Sequence, residues 1–133
     1  MLLPHGAVVA VVDGEKLELY RNTGNEAAAE LSRMDAPKLD EHNKGSGDRH
    51  ITSSANPGHL LVEDAHAAAV VGWLNQAATK AEIKHLVVVA PPRTLGEMRR
   101  HYDKQLAAIL VGEVHKELIG RGGADVLAAL QVK

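Results

Sequence analysis

The chain has 133 residues, no cysteine, seventeen acidic against fifteen Lys and Arg side chains, and a formal net charge of −2. One domain of that length buries about two thirds of its extended-chain surface without staples, and the missing cysteines exclude a disulfide framework, a thiolate metal site and a cysteine nucleophile. The slight acidity argues against a strong sequence-independent grip on nucleic-acid phosphates, and Tyr20, Trp73 and Tyr102 are too few rings to stack a single strand of bases.

Met1-Leu2-Leu3-Pro4-His5 lacks the charged region and cleavage pattern of a signal peptide, and no apolar run reaches membrane-spanning length. The expectation is a cytoplasmic protein with no membrane insertion. Residues 7–12 are a continuous apolar run, the pattern of a central strand covered on both faces. Asp13-Gly14 follows, a dipeptide that fits the positive φ angles of a type I′ hairpin turn. Leu17 and Leu19 alternate with Lys16, Glu18 and Tyr20, as a half-exposed antiparallel partner does. Asn22-Thr23-Gly24-Asn25 ends that strand. Residues 26–34 carry alanines that favour helix, but their length and place after a hairpin suit a third strand, and a strand is predicted there.

Residues 36–58 hold two prolines, three glycines and almost nothing apolar beyond Leu39 and Ile51. A loop of that length is uncommon unless functional or disordered, and the segment from about 36 to 59 is expected to be flexible, with 38–57 mobile on the fast timescale. Over 60–79, Val62, His66, Ala69, Trp73 and Ala77 share one helical face while Val70, Val71 and Leu74 widen it, predicting a mostly buried helix.

Leu86-Val87-Val88-Val89-Ala90 is a second run without polar alternation, hence a second central strand. Pro91 and Pro92 take the chain off the ladder, because neither donates an amide and each pushes its predecessor to extended geometry. Thr94 and Glu97 stand at capping-box spacing. Leu95, Met98, Tyr102, Leu106 and Leu110 fall on one stripe, so a helix is predicted from 94 to about 109, with Arg99, Arg100, Asp103 and Lys104 off the stripe. Residues 111–118 suit either its continuation or a fifth strand. Gly120-Arg121-Gly122-Gly123 breaks the chain, and 124–132 form a short closing helix. The whole, 1–133, reads as a single α/β domain.

Eight histidines invite a metal, yet none stands in the His-Glu-x-x-His pairing that puts two imidazoles on one helical face, and ordering His42, His50 and His59 from a flexible loop is entropically costly. Neither metal nor cofactor is predicted. His66 reads as a core-edge histidine with one satisfied ring nitrogen. Gly45-Ser46-Gly47 lacks the third glycine and the preceding strand of a dinucleotide loop, and Lys44 occupies the first glycine position of a nucleophile elbow. Gly120 to Gly123 offers amides where an anion binds favourably, and turn chemistry explains it equally well. Asp13 and Arg93 each follow a central strand. If those strands are parallel, both residues emerge where open α/β sheets place ligands, to line a cleft or to form a surface ion pair worth ~0–1 kcal/mol.

The run Leu86-Val87-Val88-Val89-Ala90-Pro91-Pro92-Arg93-Thr94-Leu95-Gly96-Glu97-Met98-Arg99 closely resembles the signature of the bacterial host attachment protein family, named for attachment to host cells. Asp13-Gly14-Glu15-Lys16, the glycine-containing loop before a long helix, and His115-Lys116-Glu117-Leu118 match in order, so the resemblance covers nearly the whole chain. That family is in turn similar to the middle domain of archaeal and eukaryotic release factors and of Pelota, a ribonuclease-H-like arrangement. The resemblance implies a five-stranded mixed sheet of order 3-2-1-4-5 with three helices, and makes 26–34 and 111–118 strands. Release factors carry Gly-Gly-Gln in the loop before the long helix, whereas this chain has Gly45-Ser46-Gly47-Asp48-Arg49. A ribonuclease-H-like nuclease needs several carboxylates on two metal ions, and only Asp13 lies near the expected place.

The resulting expectation is a non-catalytic binding protein whose partner is ribosome-associated RNA or a protein. The contacting residues would be Arg93, Thr94, Arg99, Arg100, Arg49 and His50, with Asp13 on the same edge. The segment 93–104 holds four basic residues against two acids. The alternative is a hydrolase of an RNA or tRNA ester linkage.

Overall fold

The computed structural model describes residues 2–39 and 58–131. Five strands, β1 (Val8–Val12), β2 (Leu17–Asn22), β3 (Leu31–Met34), β4 (Leu86–Ala90) and β5 (Leu110–His115), form one mixed sheet of order β3-β2-β1-β4-β5. Four helices are seen among the described residues: α1 (Gly58–Thr79), α2 (Pro92–Arg99), α3 (Lys104–Ile109) and α4 (Gly123–Gln131). Strand order and composition agree with the expectation.

The two apolar runs become the two central strands for the reason that made them legible. Every residue of β1 and β4 is buried, and they pair in parallel with Val8 opposite Leu86 and Val11 opposite Val89. Alternate side chains feed two cores. Val8, Ala10, Val12, Val88 and Ala90 meet Val70, Val71 and Leu74 of α1, Leu95 and Met98 of α2 and Leu106 of α3. Val9, Val11, Val87 and Val89 meet Leu3, Leu118 and the α4 residues Val126 and Leu130 on the other face. Each fully buried aliphatic side chain contributes about 1.5–3 kcal/mol, so removing any one from this small domain is felt.

Five local expectations change. Neither Asp13 nor Gly14 has a positive φ, so the β1–β2 turn is not type I′. Instead Asp13 Oδ1 accepts the amides of Glu15 at 2.8 Å and Lys16 at 2.6 Å, and the carboxylate satisfies the turn directly. The third strand covers only 31–34 of the predicted 26–34. Side-chain amides claim the backbone before it: buried Asn22 accepts from Gly24 N and Glu30 N and donates to the carbonyls of Leu3 and Pro4.

The capping box is absent. Pro91 is the N-cap of α2, with no side-chain cap bond, and Thr94 lies inside the first turn. Pro92 opens the helix two residues earlier because its missing amide needs no partner and its φ is preset. The predicted helix over 94–109 is two helices. Asp103 caps the second by accepting Leu106 N at 2.9 Å, and Asn75 of α1 holds the break by donating to His101 O at 3.0 Å and accepting Asp103 N at 3.3 Å. Helices therefore number four where three were expected, and β5 ends at His115, leaving Leu118 for the second core.

Candidate functional site

The chain leaves β1 for β2 on one side and leaves β4 through α2 and α3 for β5 on the other. Strand order thus reverses between the adjacent parallel strands β1 and β4, and the crevice beyond their carboxyl ends is where such sheets bind ligands. Asp13 and the N-terminus of α2 flank it, and α1 runs back from it towards the amino end of β4. The parallel pairing confirms that Asp13 and Arg93 emerge on one edge. They do not pair with each other. Asp13 is occupied by the turn amides, and Arg93 Nη2 donates to Asp64 Oδ1 of α1 at 3.0 Å. Half of the Arg93 side chain and a third of Asp64 remain exposed, so the pair is a weak one that a ligand can reopen.

Thr94 sits one residue further, 7 % exposed. Arg99 and Arg100 occupy the other end of α2. Arg99 donates through Nε at 3.0 Å and Nη2 at 2.6 Å to Glu113 Oε1 of β5, and its Nη2 lies 3.5 Å from His115 Nε2. Tyr102 donates to the other oxygen of Glu113 at 2.8 Å. The bonds from Arg99 hold the Glu113 carboxyl below its ordinary range, more than burial raises it, and Tyr102 adds to the lowering. Burial first, then its bond to Glu113, pushes the Tyr102 hydroxyl well above the usual phenol range. Arg100 meets Glu97 at 3.3 Å, and His101 Nε2 meets the same carboxylate at 3.0 Å.

All three arginines of the basic run therefore face a carboxylate, and Asp64 and Glu113, which lie outside that run, are the acids its local charge count leaves out. Among the described residues Lys104 makes no ion pair. Arg49 and His50 lie outside the described residues, as does nearly all of the segment expected to be mobile. His66 is buried with Nε2 3.1 Å from the Lys16 carbonyl, the core-edge role expected of it. Among the described residues no group of three or more histidines and carboxylates is placed to hold a metal ion.

The glycine turn before α4 has its own internal anion. Gly120, at φ +82°, donates its amide to both oxygens of buried Glu18 at 3.2 Å each, while Arg33 approaches Glu18 at 3.7 Å. Glu18 reads in the sequence only as a polar residue of an alternating strand, and its partner lies 102 residues away. Among the described residues no helix is long and apolar enough to cross a membrane.

A five-stranded mixed sheet of this order, with the long helix α1 returning antiparallel to β4, is the architecture of the release-factor middle domain. The chain belongs to bacterial archaeo-eukaryotic release factor family 12, whose sequence model matches residues 6–130. A comparison with curated proteins found no match to this chain.

Proposed function

We propose that this protein is a non-catalytic binding module that docks on ribosome-associated RNA, using the surface formed by α2 and the carboxyl ends of β1 and β4. The observation that carries the reading is the match to a release-factor family across residues 6–130, on a chain whose segment before the long helix has Gly45-Ser46-Gly47 and no Gly-Gly-Gln. A domain that keeps the scaffold without that tripeptide keeps a means of docking and lacks that means of placing water at an ester.

Arg93 and Arg100 are the two most exposed arginines at the ends of α2. Their ion pairs, with side chains 53 % and 74 % exposed on the arginine side, exchange readily for phosphate contacts. Arg99 is the anchor that holds α2 on β5. Contacts so few give weak, salt-sensitive binding with little sequence preference. Such a protein works in the cytoplasm, and the attachment to host cells for which the resembling family is named is then an indirect consequence of that work.

Capture of the tagged protein from native cells, with and without ribonuclease, tests the proposal. Ribosomal proteins and RNA recovered at low salt and lost after ribonuclease support it. A single protein partner recovered equally in both arms refutes it.

A further inference from the structure

β3 is the edge strand at the opposite end of the sheet from β5, and the pairing fixes which of its backbone groups face outward. Asn22 spends its amide and carbonyl on the β1 side, bonding Ala7 O and Gly6 N at 2.8 Å each, while Thr23 N bonds Glu30 O at 2.8 Å. With Arg21 opposite Ser32 and Leu19 opposite Met34, the even-numbered residues of β3 turn their amides and carbonyls to β2 and the odd-numbered ones turn theirs outward. The Arg33 amide and carbonyl therefore have no hydrogen-bond partner among the described residues, and Asp35 continues the outward set by one residue. Both ends of this free stretch are closed. The Gly123 backbone packs against the carbonyl of Leu31, where an added Cβ would lie 2.9 Å from the oxygen, and Pro37 has no amide to give.

Side chains alternate across the same stretch. Met34 packs at the margin of the first core. Arg33 lies on the other face, its guanidinium 5.7 Å from the centre of the Tyr20 ring and its side chain 59 % exposed. The carboxylate it approaches, Glu18 at 3.7 Å, is already held by the Gly120 amide. Asp35 is exposed and makes no ion pair among the described residues.

We propose that β3 pairs antiparallel with β3 of a second copy of this chain, about a two-fold axis at Met34. In that register Arg33 stands opposite the partner's Asp35, and Asp35 opposite the partner's Arg33. Each such pair exchanges both of its N–H···O bonds and sets opposite charges across the strands on the Tyr20 face. Met34 meets the partner's Met34 in the closer, non-hydrogen-bonded pair on the face of the first core. The next outward pair joins Leu31 to the partner's Pro37, and there the ladder stops. An edge of one charge repels its own copy, whereas opposite charges two residues apart complement it. The neighbouring registers do not: an axis at Arg33 or at Asp35 sets like charges opposite one another, and an axis at Ser32 sets Arg33 against Leu31. So short a ladder makes a weak, reversible dimer. The pairing does not rest on the docking reading, because β1 and β2 separate β3 from β4, against which α2 packs.

Sedimentation velocity of the full chain over a wide concentration range tests it, with circular dichroism to check the fold of each variant. The parent should pass from monomer to dimer as concentration rises. Asp35→Arg and Arg33→Glu each set like charges opposite one another in both pairs, and each should weaken association by roughly tenfold or more. An equimolar mixture of the two variants restores both pairs, since each copy offers the charge the other lacks, and should dimerise as the parent does. The chain has no cysteine, so Met34→Cys places a single thiol on the axis, within disulfide reach of its copy. It should cross-link under mild oxidation, whereas Ser32→Cys, opposite the partner's Ala36, should not. Because Arg33→Glu brings a second acid towards Glu18, the Asp35→Arg and cysteine results decide without it. A parent that stays monomeric at every concentration, a dimer that Asp35→Arg leaves intact, or equal cross-linking of Met34→Cys and Ser32→Cys overturns the proposal.

Discussion

Tyr102 donates its hydroxyl to Glu113 Oε2 at 2.8 Å while Arg99 closes on Oε1, so one carboxylate of an edge strand ties down both the end of α2 and the break before α3. β5 is one of the two edge strands, with a register shift at Leu86/Val87 against β4. A charge directed at the covering helices and an irregular ladder are two devices by which natural sheets keep an edge from pairing with another chain.

Tyr102→Phe removes a bond to a charged and largely buried carboxylate. It should lower stability by about 1.5 kcal/mol, with little change in fold. Urea unfolding followed through Trp73 measures it, and an unchanged midpoint would show that Glu113 is satisfied by Arg99 alone.

Glu113 gives the fold an acid limit. Its folded pKa lies below the ordinary 4.5, chiefly through the Arg99 bonds, so its carboxylate stabilises the native state above that ordinary value. That contribution is lost as pH falls through the lowered folded value. The stability gap between parent and Glu113→Gln should be widest above about pH 4.5 and close on further acidification. A gap that does not vary with pH contradicts the assignment.

The central strands were readable because burial on both faces demands unbroken apolar runs, which β1 and β4 supply. The parts that stayed hidden depend on partners distant in sequence. Asn75 bonds His101 across 26 positions, Arg93 meets Asp64 across 29, and Glu113 meets Arg99 across 14. No local period announces such pairs. The Thr94 and Glu97 spacing does match a capping box, but the preceding proline pair starts the helix first. Asp103, read as an off-stripe helix residue, is the real cap. At the candidate site, Arg93 and the shared edge with Asp13 followed from strand parallelism, whereas the acids that neutralise the arginines did not.

Those two caps separate cleanly by mutation. Asp103→Ala should cost about 1 kcal/mol by losing the bond to the Leu106 amide. Thr94→Val loses no cap bond and should leave the denaturation midpoint unchanged or slightly raised. Equal losses at both positions would restore a capping role to Thr94.

Ala81 is the one non-glycine residue with a positive φ among those described, at 61°, just beyond the end of α1 where Glu82 N bonds Ala77 O at 2.9 Å. That helix-terminating conformation favours glycine. Ala81→Gly should therefore stabilise the protein by about 0.5–1 kcal/mol, read as a raised thermal midpoint. A lowered midpoint would mean that the entropy cost of glycine in the unfolded chain outweighs the relieved strain.

Docking on ribosomal RNA can be measured by co-sedimentation with ribosomes at low and physiological salt, comparing the parent with Arg93→Ala/Arg100→Ala. Both replaced side chains are exposed and their ion pairs weak, so the fold should be intact by circular dichroism. If the protein docks on ribosomal RNA, the parent pellets with ribosomes at low salt, is released at physiological salt and by ribonuclease, and the double variant stays mostly in the supernatant. A parent that never pellets at low salt, or a double variant that pellets as the parent does, contradicts it.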